Sequence, residues 1–463
     1  MKFSQRCALI MSGGLLYIII AGCMSDHSVA RDYYAPSLYE DFKTISRLPS
    51  DQKTVKQEAK KVEEIKNKAE WTLPDCVNLA IINEDQLKIQ GETYYQTKWF
   101  FLQALATWLP SVSLLNNRTS YNPTIAGTYF DKNEYWLNVH QPLFNAGREL
   151  VGVANAEQLS ALRKYEFKQY RDILILAVAD TFYQMLERQN ELDALSALQE
   201  YTSHQFEMVK AREEAQVAQH KDTLLAEASL YDIQARMVRT RNLLNNARLN
   251  LQLLVGVPLP QKFIDSLALS ELPEDNQSVL ALALANRTDI KIAEQQIKLA
   301  EADVDLAKAG YLPGLNLDWN RYLHMESAPQ SSLDWSLVLS LALPFDNGGK
   351  YGVLQEKYSK LRQANIAKER LLKNIQNDAA KAYTDLQAIQ SDIEARAKGL
   401  AAAQETADIV AEQYKVGAAT NIEVLFTKNV YETARIALDQ SKTDLKLAYL
   451  RLKFVMGLLA KEF

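Results

Sequence analysis

Cysteine, proline and glycine are all scarce in this chain of 463 residues, which has 3 Cys, 12 Pro and 16 Gly. That excludes a disulfide scaffold, a collagen repeat and a low-complexity chain. Where Pro and Gly fall matters more than how few they are. Residues 153–255 contain neither, and no Pro follows residue 344. Stretches that long without a breaker predict extended helices, not the three domains of roughly 150 residues that length alone suggests. Basic charge is also short. The 52 Lys and Arg against 57 Asp and Glu give −5, or −7 once Lys2 and Arg6 leave with a leader, which argues against a nucleic-acid partner. The five His are scattered, and no G-x-S-x-G or H-E-x-x-H constellation occurs. No metal ligand, cofactor or catalytic residue is expected, and the chain does not read as an enzyme.

One hydrophobic run stands out. Residues 1–22 have a basic start and an apolar stretch from Cys7 to Ile20, too short for a spanning helix, so they read as an export signal. The run ends Ile20-Ala21-Gly22-Cys23, which resembles the lipobox of bacterial lipoproteins and implies cleavage before Cys23 and acylation of that residue. An ordinary signal with a chance cysteine is the alternative. Met24, in place of Asp, implies by the same resemblance that the lipoprotein is not retained at the inner membrane. No second run of spanning length follows, and Cys76 is left as a single thiol with no disulfide partner.

The chain is written twice. Trp108-Leu109-Pro110 recurs as Tyr311-Leu312-Pro313, offset 203, and Val255-Gly256-Val257 recurs as Met456-Gly457-Leu458, offset 201. Between them Pro142-Leu143-Phe144-Asn145-Ala146-Gly147-Arg148 returns as Pro344-Phe345-Asp346-Asn347-Gly348-Gly349-Lys350, offset 202. The heptad Val424, Tyr431, Leu438, Leu445, Leu452 overlies Thr223, Leu230, Met237, Leu244, Leu251 at 201. The expected organisation is a signal over 1–22, a tether over 23–71, a first repeat over 72–257, a connector over 258–288 and a second repeat over 289–463. Residues 51–70, rich in Lys and Glu, read as a solvated helix or tether.

Each repeat is expected to hold a helix, two strands, a very long helix, a turn and a returning helix. Alternation marks strands at Ser111 to Ser120, Glu134 to Leu143, Leu315 to His324 and Leu333 to Leu343. About ten alternating residues is the length of a tilted membrane strand, and Trp108, Trp136, Trp319 and Trp335 lie in or beside these segments as interfacial girdles would. Periodicity alone leaves open four soluble hairpin strands with one buried face. If the strands do span, four cannot close, because an open edge in lipid leaves backbone groups unsatisfied. Two copies give a filled barrel of eight strands, and three give twelve with room for a channel, which favours a homotrimer. The long helices, Arg148 to Glu214 and Lys350 to Tyr414, each reach roughly 100 Å at about 1.5 Å per residue. Small residues at Ala434, Ser441 and Ala448 beside the leucines let them pack as antiparallel coiled coils. The fold class is therefore mainly α with a membrane β-barrel portion, four strands per chain and an internal two-fold repeat.

With these features the sequence resembles the outer-membrane efflux protein family, the TolC-like exit ducts, over about residues 72–459. The segment Thr72-Leu73-Pro74-Asp75-Cys76-Val77-Asn78-Leu79-Ala80 is similar to the family's opening helix, and the turns at Asn145, Gly147, Asn347, Gly348 and Gly349 are similar to its strand-to-helix turns. The resemblance implies a passive trimeric channel in the outer membrane, in contact with its lipid. A periplasmic adaptor (membrane fusion) protein and an inner-membrane transporter are the implied partners, in an efflux or type I secretion system. A structural periplasmic coiled-coil lipoprotein without a pore is the alternative; it accounts for the lipobox and helices but not for alternating strands with Trp girdles.

Tyr414-Lys415-Val416-Gly417-Ala418-Ala419-Thr420-Asn421-Ile422-Glu423-Val424-Leu425 looks like the family's periplasmic tip. The resemblance implies adaptor contact at Val416, Gly417, Thr420 and Asn421, and a gate formed by Tyr414, Glu423 and Asp222, the last 201 residues before Glu423. Tyr414 also reads as the last residue of the coiled-coil seam, and the two acids as ordinary helix N-terminal charges. Ala419 and Phe426 replace an arginine and an aspartate of the family pattern, and the first tip lacks Val-Gly. Closure therefore needs other contacts, with Lys221 or His220 as the candidate cation. A ring of three Glu423 would raise their pKa by repulsion and attract cations. Glu423→Gln is expected to change cation selectivity or divalent block in single-channel recordings; an unchanged channel removes the ring assignment.

Overall fold

The computed structural model describes residues 62–121, 130–270, 272–273, 275–325, 334–345 and 348–463. Cys23, the leader, the tether up to residue 61 and Asn347 lie outside them. Along the chain come β1 (Glu70–Trp71), α1 (Leu73–Asn83), α2 (Asp85–Ala106), β2 (Ser111–Tyr121), β3 (Phe130–Phe144), α3 (Arg148–Glu214) and α4 (His220–Val255). Then follow β4 (Lys262–Phe263), α5 (Asn276–Asn286), α6 (Thr288–Ala309), β5 (Gly314–His324), β6 (Trp335–Ala342), α7 (Gly349–Lys415) and α8 (Asn421–Val455). The chain is mainly helical, and no described helix is long and apolar enough to cross a membrane.

Element lengths come in pairs. α1 and α5 have 11 residues each, α2 and α6 have 22, α3 and α7 have 67, and α4 and α8 have 36 and 35. α3 has the expected bounds, and α7 runs one residue beyond each expected end. α5 falls inside the segment expected as a connector and answers α1 of the first half in length, so the second repeat begins with it.

α3 is the hub of the molecule, packing on α2, α4, α6 and α8. Its middle buries Ile175, Val178, Phe182, Tyr183 and Met185, each such side chain contributing about 1.5–3 kcal/mol of apolar burial. In the second half, Val279 of α5, Ala379 and Leu386 of α7, and Ala448, Leu452 and Met456 at the end of α8 form one core. The alanines let three helices approach closely there.

The end of the expected tether is not free. Glu70 and Trp71 form β1, which runs parallel to β4, and Trp71 is buried with its ring edge-on to Phe263 at 6.4 Å. The two-residue strand pair thus fixes the chain's entry against the connector. The connector is held in turn to both long hairpins: Asp265 accepts from Tyr183 of α3 at 3.2 Å and from Lys446 of α8 at 2.5 Å.

The strands form one antiparallel sheet in the order β2-β3-β5-β6. β3 starts earlier than the alternation suggested and β6 is shorter. Register sets two unlike faces. Leu315 faces Leu341, Leu317 faces Leu339 and Trp319 faces Leu337 on one side, and Leu337, Leu339 and Leu341 are all more than half exposed. On the other side Asn138 donates to Asn320 at 2.8 Å, His140 bonds Asp318 at 2.7 Å and Tyr322 bonds Ser336 at 3.1 Å. The sheet has an apolar face and a polar, cross-linked one, with β2 and β6 as edges.

Two glycines close the returning helices. Gly256 and Gly457 adopt φ of +73° and +71°, the left-handed form that ends a helix. A Cβ on Gly256 would lie 2.8 Å from Cβ of Asn83, and one on Gly457 would lie 2.8 Å from the carbonyl carbon of Asn286. Asn83 and Asn286 end α1 and α5, so both glycines dock a long helix onto a short one. Gly457→Ala is expected to destabilise the fold by about 1–3 kcal/mol through positive φ and a backbone clash. Gly152→Ala in α3, where a Cβ meets nothing, should be neutral or better. Thermal unfolding of the two variants in detergent compares them directly.

Candidate functional site at the hairpin tips

The second hairpin turns between α7 and α8. Its reversal rests on Gly417 at φ +78°, with Ala418 N–H donating to the Gln413 carbonyl at 2.8 Å. Thr420 then caps α8. Its N–H and hydroxyl donate to the Glu423 carboxylate at 2.7 and 2.8 Å, and Glu423 N–H returns to the Thr420 oxygen at 3.4 Å. This reciprocal capping box satisfies N–H groups that the first turn of a helix cannot. It also holds the Glu423 carboxyl below the usual glutamate range, through the bonds from Thr420. That direction is opposite to the one mutual repulsion in a ring would give. Val416, the C-cap of α7, is 81% exposed.

The first hairpin turns between α3 and α4 without a glycine. Gln216 takes the left-handed form at φ +63°, a conformation that costs a side-chain-bearing residue roughly 1–2 kcal/mol. Glu213 compensates by bridging the turn: one carboxylate oxygen bonds His220 Nδ1 at 2.8 Å, and the other accepts from the Thr223 hydroxyl. Those two bonds, Thr223 first, hold the Glu213 carboxyl below its ordinary range. His220, a candidate cation from the sequence, is thus occupied within its own turn.

Two contacts join the tips of the two hairpins. The Arg212 guanidinium lies 5.1 Å from the centre of the Tyr414 ring, and Gln205 Nε2 donates to Asn421 Oδ1 at 3.5 Å. A cation over an aromatic face at a partly exposed site contributes about 0.5–1 kcal/mol. Asn421 is buried, and its Nδ2 has no hydrogen-bond partner among the described residues, a penalty of about 1–3 kcal/mol. Nearby, Tyr201 is pushed up by burial and by the neighbouring Tyr414. Further from the tip, Lys428 of α8 lies over the rings of Tyr201 (5.4 Å) and Tyr431 (4.6 Å) and pairs with buried Glu432 at 3.0 Å.

The residues singled out by sequence are therefore partly brought together. Tyr414 and Asn421 meet the first hairpin, whereas no bond among the described residues links Asp222 or Glu423 to Tyr414 or to each other. Asp222 and Glu423 do hold matching places, each third in its helix. Arg212, Glu213 and Gln205 were missed. Their signal was present: Arg212 and Glu213 end α3 as Tyr414 ends α7, and carrying the repeat across both tips would have exposed them.

At the opposite end of the long helices, Gly147 (φ +74°) and Gly348 (φ +96°) reverse the chain before α3 and α7. Asn145 Nδ2 donates to Glu149 at 2.5 Å, and Gly349 is the first residue of α7. Arg148 and Lys350 both donate to carbonyls at the end of α6, Ala309 at 3.2 Å and Gly310 at 2.8 Å. Cations there complement the helix's negative end. These turns fix where sheet becomes helix. Among the described residues no group of His, Cys, Asp or Glu could hold a metal ion, and burial pushes the Cys76 thiol up to about 12.

The profile of the family described as Outer membrane efflux protein matches residues 102–257 and 279–458. The outer membrane efflux protein BepC of Brucella suis is 25% identical over 363 residues, covering 72% of this chain and 76% of that protein. The alkaline protease secretion protein AprF of Pseudomonas aeruginosa is 22% identical over 413 residues, 84% of each chain. Among solved structures, CusC, described as forming a transmembrane channel, superposes with a TM-score of 0.74 at 18% identity, over 83% of this chain and 92% of that one.

Acid should loosen both tips. A carboxylate whose folded pKa lies below its unfolded value stabilises fully above the ordinary range, and that contribution is lost as pH falls through the lowered value. Amide hydrogen-exchange protection at residues 216–223 and 420–424, taken relative to the unfolded-chain rate at each pH, is expected to fall as pH drops below the usual glutamate range. Glu213→Gln and Glu423→Gln should each remove the acid step at their own tip only; protection that stays flat with pH in the wild type would count against both bridges.

Proposed function

The chain belongs to the outer membrane efflux protein family, and on that premise we propose that three copies assemble into a passive conduit from the periplasm to the exterior. The observation that carries this reading is the sheet: four strands with two open edges, one exposed apolar face and one polar face cross-linked by side chains. An apolar face suits lipid and a polar face suits a water-filled lumen. Open edges are not tolerated in hydrocarbon, so β6 of one copy must find β2 of the next. Three copies of four strands make a barrel of twelve, wide enough for a channel. Below the barrel, helices of 67 residues span roughly 100 Å and form the wall of a periplasmic tunnel.

In this reading the hairpin tips are the periplasmic entrance. Tyr414, Glu423 and Asp222 form the gate, and Val416, Gly417, Thr420 and Asn421 receive a periplasmic adaptor, with Val416 highly exposed and Asn421 buried. Acylated Cys23 anchors the chain to the membrane. No step along the conduit releases energy, so transport is driven by the inner-membrane transporter, which also selects the substrate. One relative is named for efflux and another for protease secretion, and the sequence of the duct does not separate the two.

The reading is tested by whether the purified, processed chain runs as a heat-modifiable trimer and conducts ions in planar lipid bilayers. Folded trimers with no conductance would leave the coiled-coil lipoprotein without a pore as the better account.

A further inference from the structure

Strand register arranges the apolar face of the sheet in rows. Val112, Val139, Trp319 and Leu337 lie side by side across the four strands, and Leu114, Leu137, Arg321 and Trp335 form the next row away from the helices. Beyond it come Asn116, Tyr135 and His324, then Arg118 opposite Asn133. Nearer the helices this face holds Gln141, Leu315, Leu317, Leu339 and Leu341 and no charged residue. An arginine on a lipid-facing strand is costly at the bilayer midplane and tolerated at an interface. Both arginines of this face stand at the same end of it, the strand tips far from the helices.

Arg118 on β2 and Arg321 on β5 are separated by two strands and by four residues along β3, roughly 15 Å over the sheet at about 4.8 Å per strand and about 3.4 Å per residue. Between them Asn133 Nδ2 donates to the Tyr135 hydroxyl at 3.0 Å, and the Tyr135 ring lies 6.2 Å from that of His324. Arg321 Nη1 donates to the Asp334 carbonyl at 2.9 Å and pairs with its carboxylate at 3.4 Å, which engages one of the three guanidinium nitrogens. Asp131, opposite Ser120, holds the next outward register position, whereas Lys132 and Glu134 belong to the other face. The Asp334 side chain is 81% exposed, and an ion pair so open to water contributes little. A phosphate, with more charge and more acceptor oxygens, takes such an arginine from a carboxylate.

We propose that this rim binds the phosphorylated disaccharide headgroup of lipopolysaccharide, lipid A, with Arg118 and Arg321 on its two phosphates and Asn133 and Tyr135 on the sugar between them. Its acyl chains then lie along the leucine rows below. The site rests on the conduit reading above, which puts the strand tips at the exterior. Ligand chemistry follows from the spacing: a headgroup with a phosphate at each end of a disaccharide engages both arginines at once, and a phospholipid with one phosphate engages only one. The uncharged rows at the helical end make no such demand, so the sheet is matched to a bilayer whose two leaflets differ, with the phosphorylated glycolipid on the outside.

Delipidated trimers in detergent, titrated with bisphosphorylated lipid A and followed by native mass spectrometry, provide the test. One molecule is expected per chain, with a rise in the unfolding temperature of the trimer. Phosphatase-treated lipid A and phosphatidylglycerol should each bind wild type roughly tenfold more weakly than intact lipid A. The double variant Arg118→Gln, Arg321→Gln should lose roughly tenfold in affinity for lipid A, and Arg321→Lys, which keeps the charge but not the planar fork, should lose less than Arg321→Gln. Equal binding of the three lipids by wild type would overturn the site while leaving the conduit standing, and this comparison decides even where a variant fails to trimerise. A folded double variant that binds lipid A as wild type does would overturn it as well. Chains that neither trimerise nor conduct in planar bilayers would overturn the conduit reading, and the site with it.

Discussion

A β-strand edge cannot face hydrocarbon, and most of this molecule's organisation depends on that constraint. Each unpaired N–H or C=O in lipid costs several kcal/mol. The sheet β2-β3-β5-β6 sorts its side chains into an apolar and a polar face, yet has two edges that pair with no other strand among the described residues. The remaining structure joins the four strands through helical segments, the longest of 67 residues.

That joining depends on α3. It packs on helices of both halves, and its buried middle packs against the connector through Phe182 and Tyr183, with Phe263 and Asp265 on the other side. The connector is in turn bonded to α8 through Lys446 and Tyr449. Breaks in the long helices are confined to their ends, where Gly147, Gly348, Gly256 and Gly457 adopt positive φ. Between those points the helices run unbroken for up to 67 residues.

The fold was legible in the sequence where local signals decide it. α3 begins and ends at the expected residues, because Gly147 and the turn at Gln216 are local events. The sheet faces followed from alternation, since a period of two fixes which side chains share a side. Boundaries drifted where pairing partners decide them: β3 extends to Phe130 because β2 continues opposite it. The burial of Trp71 was not legible at all, for it depends on β4, nearly two hundred residues away. At the candidate site the same division holds. The capping box at Thr420 and Glu423 is a spacing of three residues and could be read, whereas Arg212 meets Tyr414 only through the packing of two hairpins. Charges on the solvent side of a helix carry no periodic signature that marks which one will find an aromatic ring.

The two tips solve the same reversal with different chemistry. The second reverses on a glycine and closes with a capping box; the first forces a glutamine into the same conformation and restrains it with a glutamate that bridges to a histidine and a threonine. In a closed ring of three chains, six turns would therefore alternate between two kinds. Such a ring has the threefold symmetry of its subunits but not the sixfold symmetry its doubled architecture suggests, so a docking protein would meet two distinguishable surfaces around the circumference and could be oriented by them.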